Sequence, residues 1–382
     1  MNERMRIGIL TLPLHTNYGG ILQAYALQTV LERMGHEVVV FDTPNKCPLP
    51  PLWKLPLSFA KRILLKSMGR IDRIFIERYN NRVYPVITKE IQPFIDGKIH
   101  RKVFTNFSKI GAREFDAIVV GSDQVWRSIY FIPMWLGQPM ENAYLSFTKG
   151  WPLKRISYAA SFGTDKWEYN EKQTLHSREA LQMFDAVSVR EENGVKLCKQ
   201  YFDVDALHVL DPTMLLDAND YIELFKQKQT PKSKGNLLNY VLDETDEIES
   251  LIKKVASMKK MVPFAVNNPY EGDNTKPLNQ RIKPSVETWL RGFYDADFVI
   301  TDSFHACVFS IIFKKQFVVV GNKDRGMSRF ESLLKLFGLE DRLVDVHCDV
   351  SILQQIDYDN VYSIYDKLKE SSMIYLSGSL NS

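Results

Sequence analysis

The sequence has few of the features that mark membrane-spanning, disulfide-stabilised or disordered proteins. No uninterrupted apolar run reaches the roughly 18 residues that a membrane-spanning helix needs. The four cysteines, Cys47, Cys198, Cys307 and Cys348, are widely spaced and form no CxxC pair. This predicts reduced thiols, without a disulfide framework or a cysteine zinc site. Glycine (19) and proline (17) are too few among 382 residues for a chain dominated by linkers.

The sequence also lacks a strong net charge and a secretory signal. Its 49 basic and 46 acidic residues give a net charge of +3, which argues against a dedicated nucleic-acid surface. The apolar stretch at 7–10 is short and has no small-residue cleavage site, so we expect no signal peptide and a cytoplasmic location. The shares of hydrophobic (45%) and charged (25%) residues are typical of globular proteins, and the length predicts two domains.

Apolar, β-branched runs alternate with segments of helical period, which is typical of βαβ units and parallel sheets. The pattern predicts two α/β domains in series, at 1–210 and 211–355, and a C-terminal helix and tail at 356–382. The predicted strands lie at 5–12, 37–42, 115–121, 155–160 and 186–190 in the first half, and at 206–210, 237–242, 262–266, 297–301 and 317–320 in the second. The predicted helices lie at 21–34, 172–184, 247–258, 286–294, 304–313, 328–337 and 361–369.

A basic segment interrupts this alternation and predicts a helical insertion in the first domain at about 50–113. Between Leu52 and Arg82 the sequence has eight basic and two acidic residues, with apolar residues interleaved among them. A basic amphipathic helix can lie on an anionic membrane surface or take a lipid-linked substrate. A helix that covers the sheet and exposes its charges to water is the alternative interpretation.

In doubly wound sheets, ligands bind beyond the carboxyl ends of the strands, and two loops of the first half are polar there. The loop after the first strand has two glycines at the start of a helix. This arrangement favours a ligand that approaches the backbone; the alternative is a tight turn whose glycines allow close helix packing. The loop after the strand at 115–121 suits sugar recognition, with Asp123 as general base; a helix cap and a core tryptophan are the alternative. The candidate residues are Asn17, Tyr18, Gly19, Gly20 and Gln23 in the first loop, and Ser122, Asp123, Gln124 and Trp126 in the second.

Two further strand ends carry groups that can bind an anion or transfer a proton. Arg190 ends the strand at 186–190 and can grip a carboxylate or phosphate, or pair with Glu191 or Glu192. Ser303 and His305 stand where the strand at 297–301 gives way to a helix. The helix dipole there favours a neutral imidazole, whereas a bound phosphate would favour the positively charged form.

The loop after the last predicted strand is rich in cations. Its glycine spacing imitates a P-loop, yet Met327 stands where the phosphate-binding lysine would be, which argues against ATP binding of that type. Its three cations, Lys323, Arg325 and Arg329, lie beside a helix start and suit a small phosphorylated anion. Three solvated surface cations are the alternative.

Four stretches, in their order and spacing, resemble the polysaccharide pyruvyl transferase family from about residue 7 to about residue 345. They are Thr16-Asn17-Tyr18-Gly19-Gly20, Gly121-Ser122-Asp123-Gln124-Val125-Trp126, Ser188-Val189-Arg190-Glu191 and Thr301-Asp302-Ser303-Phe304-His305. The resemblance implies a GT-B-like fold, in which two Rossmann-like domains with parallel sheets face a cleft that holds the active site. It also implies transfer of the enolpyruvyl group of phosphoenolpyruvate onto two hydroxyls of a sugar, which forms a pyruvate ketal and releases phosphate.

The same resemblance implies phosphoenolpyruvate and a sugar acceptor, commonly lipid-linked, as partners, with no metal, nucleotide or cofactor. We expect His305 to contact the phosphate and act as general acid, Arg190 to hold the carboxylate, and Asp123 to deprotonate or orient the acceptor hydroxyl. The other expected donor contacts are Ser303, Lys323, Arg325 and Arg329. The expected acceptor contacts are Asn17, Tyr18, Gly19, Gly20, Gln23, Ser122, Gln124 and Trp126.

Two other functions fit parts of the sequence. A glycosyltransferase of the same architecture often holds its nucleotide sugar with two glutamates at a fixed spacing, which Glu331 and Glu340 miss by one residue. A non-catalytic partner in polysaccharide assembly would dock through the basic segment, and we expect peripheral contact with the inner membrane surface there. We expect no nucleic-acid partner.

Overall fold

The computed structural model describes residues 3–45, 47, 49–50, 52–71, 73–321 and 327–381. The strands are β1 (Arg6–Leu10), β2 (Glu37–Asp42), β3 (Arg101–Val103), β4 (Ala117–Val120), β5 (Lys154–Ser157), β6 (Ser188–Val189), β7 (Leu207–His208), β8 (Leu237–Tyr240), β9 (Pro263–Phe264), β10 (Phe298–Thr301), β11 (Gln316–Val320) and β12 (Leu343–Val344). The α-helices are α1 (Tyr18–Arg33), α2 (Leu55–Ser67), α3 (Ile76–Ile87), α4 (Gln92–Lys98), α5 (Ser128–Met134), α6 (Glu171–Leu181), α7 (Glu192–Leu197), α8 (Ala218–Gln227), α9 (Asp246–Lys259), α10 (Val286–Asp295), α11 (Phe304–Ile312), α12 (Met327–Phe337) and α13 (Tyr358–Asn381).

The first sheet has the strand order β3-β2-β1-β4-β5, and all its pairings are parallel. In register, Ile9 of β1 lies between Val40 of β2 and Val119 of β4. This order is that of a Rossmann half, in which the chain leaves the central strand in both directions. The reversal, or switch point, lies between β1 and β4, and the carboxyl ends of these two strands open a crevice there.

The second sheet has the order β12-β11-β10-β8-β9 and is also parallel throughout. Counted along the chain from β8, this is the flavodoxin-like order 2-1-3-4-5, a doubly wound relative of the Rossmann order. Its switch point lies between β8 and β10. Both sheets are therefore doubly wound and parallel, which confirms the predicted α/β fold of GT-B type.

The central strands are apolar on both faces because helices cover both sides of each sheet. All four residues of β4 (Ala-Ile-Val-Val) and of β10 (Phe-Val-Ile-Thr) are buried, as are the last four of β1 and of β11. Continuous apolar runs of this kind are typical of parallel strands, whereas alternation is typical of half-exposed ones. The hydrophobic pattern therefore predicts each of these strands to within two residues at either end.

A third, two-stranded sheet corrects one sequence expectation. The predicted strand at 206–210 was assigned to the second half, but β7 pairs in parallel with β6, with Val189 opposite His208. Isolated bridges, Ile156 to Ala186 and Ala160 to Val189, join this pair to the edge of the first sheet. The short strands are recognisable by their apolar residues, but only the pairing shows which sheet they extend.

Contacts between distant segments hold the two sheets together. The hydroxyl of Tyr18, at the start of α1, donates to the carbonyl of Pro284 (2.7 Å), and its ring stacks on Trp289 of α10. The last helix, α13, returns to the first sheet, where the Tyr375 hydroxyl donates to the carbonyl of Ser157 in β5 (2.9 Å). One buried apolar cluster accordingly contains side chains from both sheets. The domain bounds at 210 and 355 stay a prediction.

The predicted insertion at about 50–113 contains α2, α3 and α4, and it also contains β3, which the sequence interpretation missed. β3 forms the edge of the first sheet beside β2, and its basic residues Arg101 and Lys102 leave few apolar positions for a pattern to detect. Among the described residues, no helix is both long enough and apolar enough to cross a membrane.

Leu376→Ala tests whether α13 is an integral part of the fold. Leu376 is fully buried, so the truncation should lower the free energy of unfolding by about 2–5 kcal/mol through lost burial and the cavity left behind. Ile374→Ala, two residues earlier and 63% exposed, is the matched control and should change little. Urea unfolding of both variants measures the difference, and equal stability of the two would contradict the proposed packing of α13.

Candidate active site

The two switch points meet at one cavity of about 320 Å³. Residues 12–17 after β1 and Asp123 after β4 line it from the first sheet, while Leu242 after β8 and residues 302–305 after β10 line it from the second. Its volume lies at the lower end of the range for small-molecule sites, about 300–1,000 Å³. The predicted site residues on its wall are Asn17, Gly20, Asp123, Gln124, Ser303, His305 and Arg329.

Gly19 brings the two sheets into direct contact at His305. A Cβ atom built on Gly19 would lie 2.0 Å from His305 Nδ1 and 2.2 Å from its Cγ, so only glycine fits in the first turn of α1. A Cβ atom on the next residue, Gly20, would meet its nearest neighbour, Asp123 Oδ2, at 3.4 Å. The glycine pair thus has two different roles, since Gly19 admits the histidine and Gly20 lines the cavity.

Two helix N-termini open onto the cavity. Asn17 precedes α1 and Ser303 precedes α11, and neither side chain forms the hydrogen bond by which such residues usually cap a helix. The amides of a first helical turn have no partner within the helix, and the helix dipole places partial positive charge there. Because both uncapped residues line the cavity, it can offer backbone amides and positive potential to an anion from two sides.

The most strongly coupled group beside the cavity is the buried carboxylate of Asp211. Its Oδ2 accepts a hydrogen bond from Arg190 Nη1 (2.8 Å) and one from Ser122 Oγ (3.3 Å), and it lies 3.6 Å from His305 Nε2. Its Oδ1 accepts from the backbone amide (3.0 Å) and the hydroxyl (2.7 Å) of Thr213. One carboxylate therefore holds an arginine from the first half and a histidine from the second.

The charges around Asp211 determine its protonation. Burial alone would raise the pKa of this carboxyl, but the nearby His305 and the charge and hydrogen bond of Arg190 lower the pKa well below its ordinary value. The carboxylate is therefore ionised at neutral pH, and it presents a negative charge to His305.

Arg190 lies behind the cavity wall. Its side chain is 1% exposed, its Cζ lies 4.3 Å from the centre of the Phe304 ring, and its Nη2 lies 3.6 Å from Asp123 Oδ1. Within the described residues, Nε and Nη2 have no hydrogen-bond partner. Arg190 pairs with Asp211 rather than with Glu191 or Glu192, and it does not line the cavity, so the expected grip on a carboxylate is replaced here by contact with Asp211.

Arg329, from the first turn of α12, is the cation that faces the cavity among the described residues. It is buried, and burial together with the neighbouring charge of Arg190 lowers the pKa of its guanidinium to about 10. The group is still charged at neutral pH. Lys323 and Arg325, predicted to act beside it, lie outside the described residues.

Asp123 faces these cations from the first sheet. It follows a glycine, Gly121, whose φ is +135° and on which a Cβ atom would lie 2.0 Å from the carbonyl oxygen of Tyr158. Asp123 itself has a left-handed backbone, with φ of 56°. The tight turn brings its carboxylate to the cavity wall beside Gln124, where both can meet a hydroxyl-bearing ligand.

The expectation that Gln23 and Ser122 contact an acceptor is wrong, because both are fully buried and their polar atoms are already paired. Gln23 Nε2 donates to Thr11 Oγ1 and to the carbonyl of Gly20, both at 2.9 Å. Its Oε1 accepts from the Ser122 amide (2.8 Å), and Ser122 Oγ donates to the carbonyl of Ala159 (2.8 Å). They hold the two loops of the first sheet in place.

The same correction applies to Trp126 and Tyr18, which are core residues. Trp126 is fully buried, donates from Nε1 to the carbonyl of Ala143 (3.2 Å) and stacks on Tyr144 with ring centres 4.9 Å apart. Tyr18 is occupied by Pro284 and Trp289. Their aromatic rings therefore offer no face to a sugar, and Gly19 is likewise covered, by His305.

The family model described as polysaccharide pyruvyl transferase matches residues 17–324, a span that includes the four stretches that carry the resemblance, apart from Thr16. The chain belongs to this family. Membership implies a transferase with a pyruvyl transfer role. No curated protein matches the sequence at a significant level.

Several solved structures match this family member at low sequence identity and with TM-scores below 0.5. A glycosyltransferase from Rickettsia africae has 10% identity and a TM-score of 0.42, over 100% of this chain and 95% of its own. The UDP-GlcNAc 2-epimerase from Neisseria meningitidis bound to UDP-GlcNAc has 11% identity and a TM-score of 0.44, over 98% and 93%. The enzyme of that name from Methanocaldococcus jannaschii has 11% and 0.45, over 95% and 92%. We take nothing about function from likenesses this distant.

Sequence reasoning missed Asp211, which it treated only as part of a domain boundary. Arg190 follows β6 directly and Asp211 lies three residues after β7, so the pairing of these strands brings both residues to the same sheet end. An acidic residue after a short apolar strand is the signal that could have revealed it. In the described part of the chain, no group of three or more His, Cys, Asp or Glu side chains is placed to hold a metal ion. The expected lack of a cofactor stays a prediction.

Asp211→Asn should make stability less sensitive to acid. The folded protein holds this pKa well below the value of 3.8 expected for the unfolded chain, so the stabilisation is complete above about pH 5 and falls as the pH decreases through 3.8. Between pH 5 and pH 3 the wild type should lose about 1 kcal/mol more than the variant. At neutral pH the variant should be less stable by about 3–5 kcal/mol, because Arg190 keeps a buried charge without its partner.

Urea unfolding at several pH values measures both effects. Asp205→Asn is the control, since Asp205 also pairs with a cation, Lys199 at 3.1 Å, but is 90% exposed. That variant should follow the wild type at every pH. A wild-type profile as flat as that of Asp211→Asn would show that the carboxylate is not held in its ionised form.

Gly19→Ala and Gly20→Ala test the close approach of α1 to His305. The alanine at 19 must displace the imidazole, which should cost about 1–3 kcal/mol of unfolding free energy. The alanine at 20 meets only an ordinary contact and should stabilise the helix by up to about 1 kcal/mol. Thermal unfolding of the pair measures the difference in sign, and equal effects at the two positions would contradict the predicted contact.

Proposed function

We propose that this chain transfers the enolpyruvyl group of phosphoenolpyruvate onto two hydroxyls of a sugar, forming a cyclic pyruvate ketal and releasing phosphate. Membership of the polysaccharide pyruvyl transferase family supports the transfer. The observation that carries the proposal further is the single cavity at which His305 and Arg329 face Asp123. A guanidinium and a histidine on one side, with a carboxylate on the other, suit an anionic donor and a hydroxyl acceptor.

The donor is a carboxylate and a phosphate on one small molecule, so it needs positive charge from several directions. Arg329 supplies a guanidinium at the cavity wall, and the uncapped helix starts after Asn17 and Ser303 supply backbone amides. His305 adds a further donor group beside them. Arg190 lies behind the cavity wall and holds Asp211, which in turn positions His305. Arg190 therefore acts without touching the donor itself.

The first chemical step joins the donor to one sugar hydroxyl. His305 gives a proton to the methylene carbon of phosphoenolpyruvate, and the neighbouring carbon, which becomes electron-poor, forms a bond to the hydroxyl oxygen. Asp123 accepts the proton that this hydroxyl loses. Asp211 Oδ2, 3.6 Å from Nε2, holds the imidazole at the cavity wall for this transfer.

The second step closes the ring. The second hydroxyl oxygen bonds to the same carbon while the carbon–oxygen bond to phosphate breaks. Phosphate leaves with the electron pair of that bond and takes up the proton that Asp123 accepted, which returns Asp123 to its carboxylate form. His305, neutral after the first step, accepts the proton of the second hydroxyl. The net change is one phosphoenolpyruvate and one diol converted to one ketal and one phosphate, so atoms and charge balance without a cofactor.

The test combines the purified protein with phosphoenolpyruvate and candidate acceptors such as β-galactosides or N-acetylmannosamine glycosides. Released phosphate and the mass increase of a ketal are measured together. His305→Asn should lower kcat by about 100-fold or more, the typical contribution of a general acid. Arg329→Met should raise the KM for phosphoenolpyruvate by about tenfold or more, because a charge-assisted contact to the donor is lost.

His100→Asn is the matched control, because His100 is exposed, pairs only with Glu32 at 2.8 Å and does not line the cavity. Its kinetics should equal those of the wild type. Full turnover by His305→Asn would contradict the assignment of the acid. Transfer from a nucleotide sugar in place of phosphoenolpyruvate would instead establish a glycosyltransferase. The structure does not favour this alternative, because Glu331 and Glu340 are exposed and do not line the cavity.

A further inference from the structure

Helix α2 is exposed to a degree that is unusual for a helix of a globular protein. None of its residues is buried. Large apolar side chains of this helix and its flanks point into water, among them Leu57 (77% exposed), Leu64 (61%) and Met68 (53%). A contiguous apolar surface of this kind on an otherwise well-packed protein indicates a binding surface.

Three of these apolar side chains form a stripe along the helix, with a lysine beside it. At 100° per residue, Leu57, Leu64 and Met68 lie within about 40° of one another on the helix surface. The exposed Lys61 lies beside this stripe, about 40° from Leu57, whereas the exposed Lys66 lies about 180° from Leu57, on the opposite side of the helix. An exposed apolar stripe beside basic side chains is typical of helices that lie in the plane of a membrane interface. Long basic side chains can then extend towards the headgroups while their stems stay apolar.

The opposite side of α2 is anchored, so the stripe has a fixed direction. Arg62 forms a two-pronged ion pair with Glu77 of α3, with distances of 2.8 and 2.6 Å. The Phe59 ring lies 5.2 Å from that of Phe75 in the connecting segment. The helix is therefore held on its inner side and presents Leu57, Leu64 and Met68 outwards.

Basic side chains dominate the exposed charge in the described part of this surface. Among the described residues of 52–82, the one acidic side chain is Glu77, which is buried and paired with Arg62. The exposed cations are Lys54, Lys61, Lys66, Arg70, Arg78 and Arg82. Each such charge adds attraction to a negatively charged lipid surface, and the attraction falls off within a Debye length.

We propose that the outer face of α2, formed by Leu57, Leu64, Met68 and the flanking cations, docks the protein on the surface of a bilayer that contains anionic lipids. The apolar stripe enters the headgroup region while the cations contact lipid phosphates. A second copy of the chain fits this face less well, because a two-fold contact would place the same cations opposite one another.

The docking face leads towards the candidate active site. A cavity of about 580 Å³ beneath α2, lined by Lys61 and Arg73, shares Ile76 and Asn274 with a second cavity of about 520 Å³. That second cavity shares His15 and Met134 with the cavity that holds His305. Docking through α2 would therefore present this row of cavities to molecules at the membrane surface. The docking itself does not depend on the proposed transfer reaction.

Co-sedimentation with vesicles tests the proposal and uses no substrate, so its outcome is separate from that of the kinetic assay. The full chain should bind vesicles of equal parts phosphatidylglycerol and phosphatidylcholine at least about tenfold more tightly than pure phosphatidylcholine vesicles. Leu57→Ser/Leu64→Ser/Met68→Ser and Lys54→Glu/Lys61→Glu should each weaken this binding by about tenfold or more. Raising the salt from about 0.1 M to about 0.5 M should weaken wild-type binding as well.

The controls carry the same substitutions elsewhere on the surface. Leu175→Ser/Ile352→Ser/Ile374→Ser replaces three equally exposed apolar residues, and Lys166→Glu/Lys172→Glu reverses two exposed lysines; both should bind as the wild type does. All substituted side chains are exposed, so thermal unfolding should show intact folds. Equal binding to both kinds of vesicle, or unchanged binding by the α2 variants, would overturn the proposal. So would sedimentation equilibrium that shows a dimer which the triple serine variant breaks, since the face would then join two copies of the chain.

Discussion

The arrangement of the candidate site depends on one buried negative charge, that of Asp211. A lone buried carboxylate is costly, and this one is tolerated because Arg190, His305 and two hydrogen-bonding neighbours compensate it. The same interactions tie together parts of the chain from both sheets. Since the carboxylate cannot lose its partners without a large cost, the histidine is held at the cavity by electrostatics as well as by packing. The contacts that offset the cost of burying this charge also fix the geometry of the site.

The two sheets explain why the polar residues meet where they do. Each sheet is doubly wound, and each opens a crevice at the place where its strand order reverses. The crevices face one another, so loops that are hundreds of residues apart in sequence line one cavity. The absence of a side chain at Gly19 lets α1 approach α11 closely enough for this to happen. A local requirement for glycine thus sets the distance between the two halves of the site.

The fold and a part of the cavity wall were predictable from the sequence, because they depend on local patterns. Continuous apolar runs marked β1, β4, β10 and β11, and polar residues directly after them marked Asp123 and His305. The errors have a common physical origin. Gln23, Ser122 and Trp126 sit beside the cavity but turn inwards, and the sequence does not record in which direction a loop side chain points. Asp211 was missed because the strand pairing that brings it to Arg190 is not local.

The return of α13 to the first sheet has a consequence for how the chain folds as it is made. The Tyr375 hydroxyl bonds to Ser157, which lies 218 residues earlier in the chain. The first sheet is therefore synthesised long before the helix that completes its side, and the whole second sheet is made in between. During that interval the ring of Tyr158, fully buried in the finished protein and next to Tyr375, lacks one of its neighbours. The nascent first half thus carries an apolar surface that only the last helix removes from water.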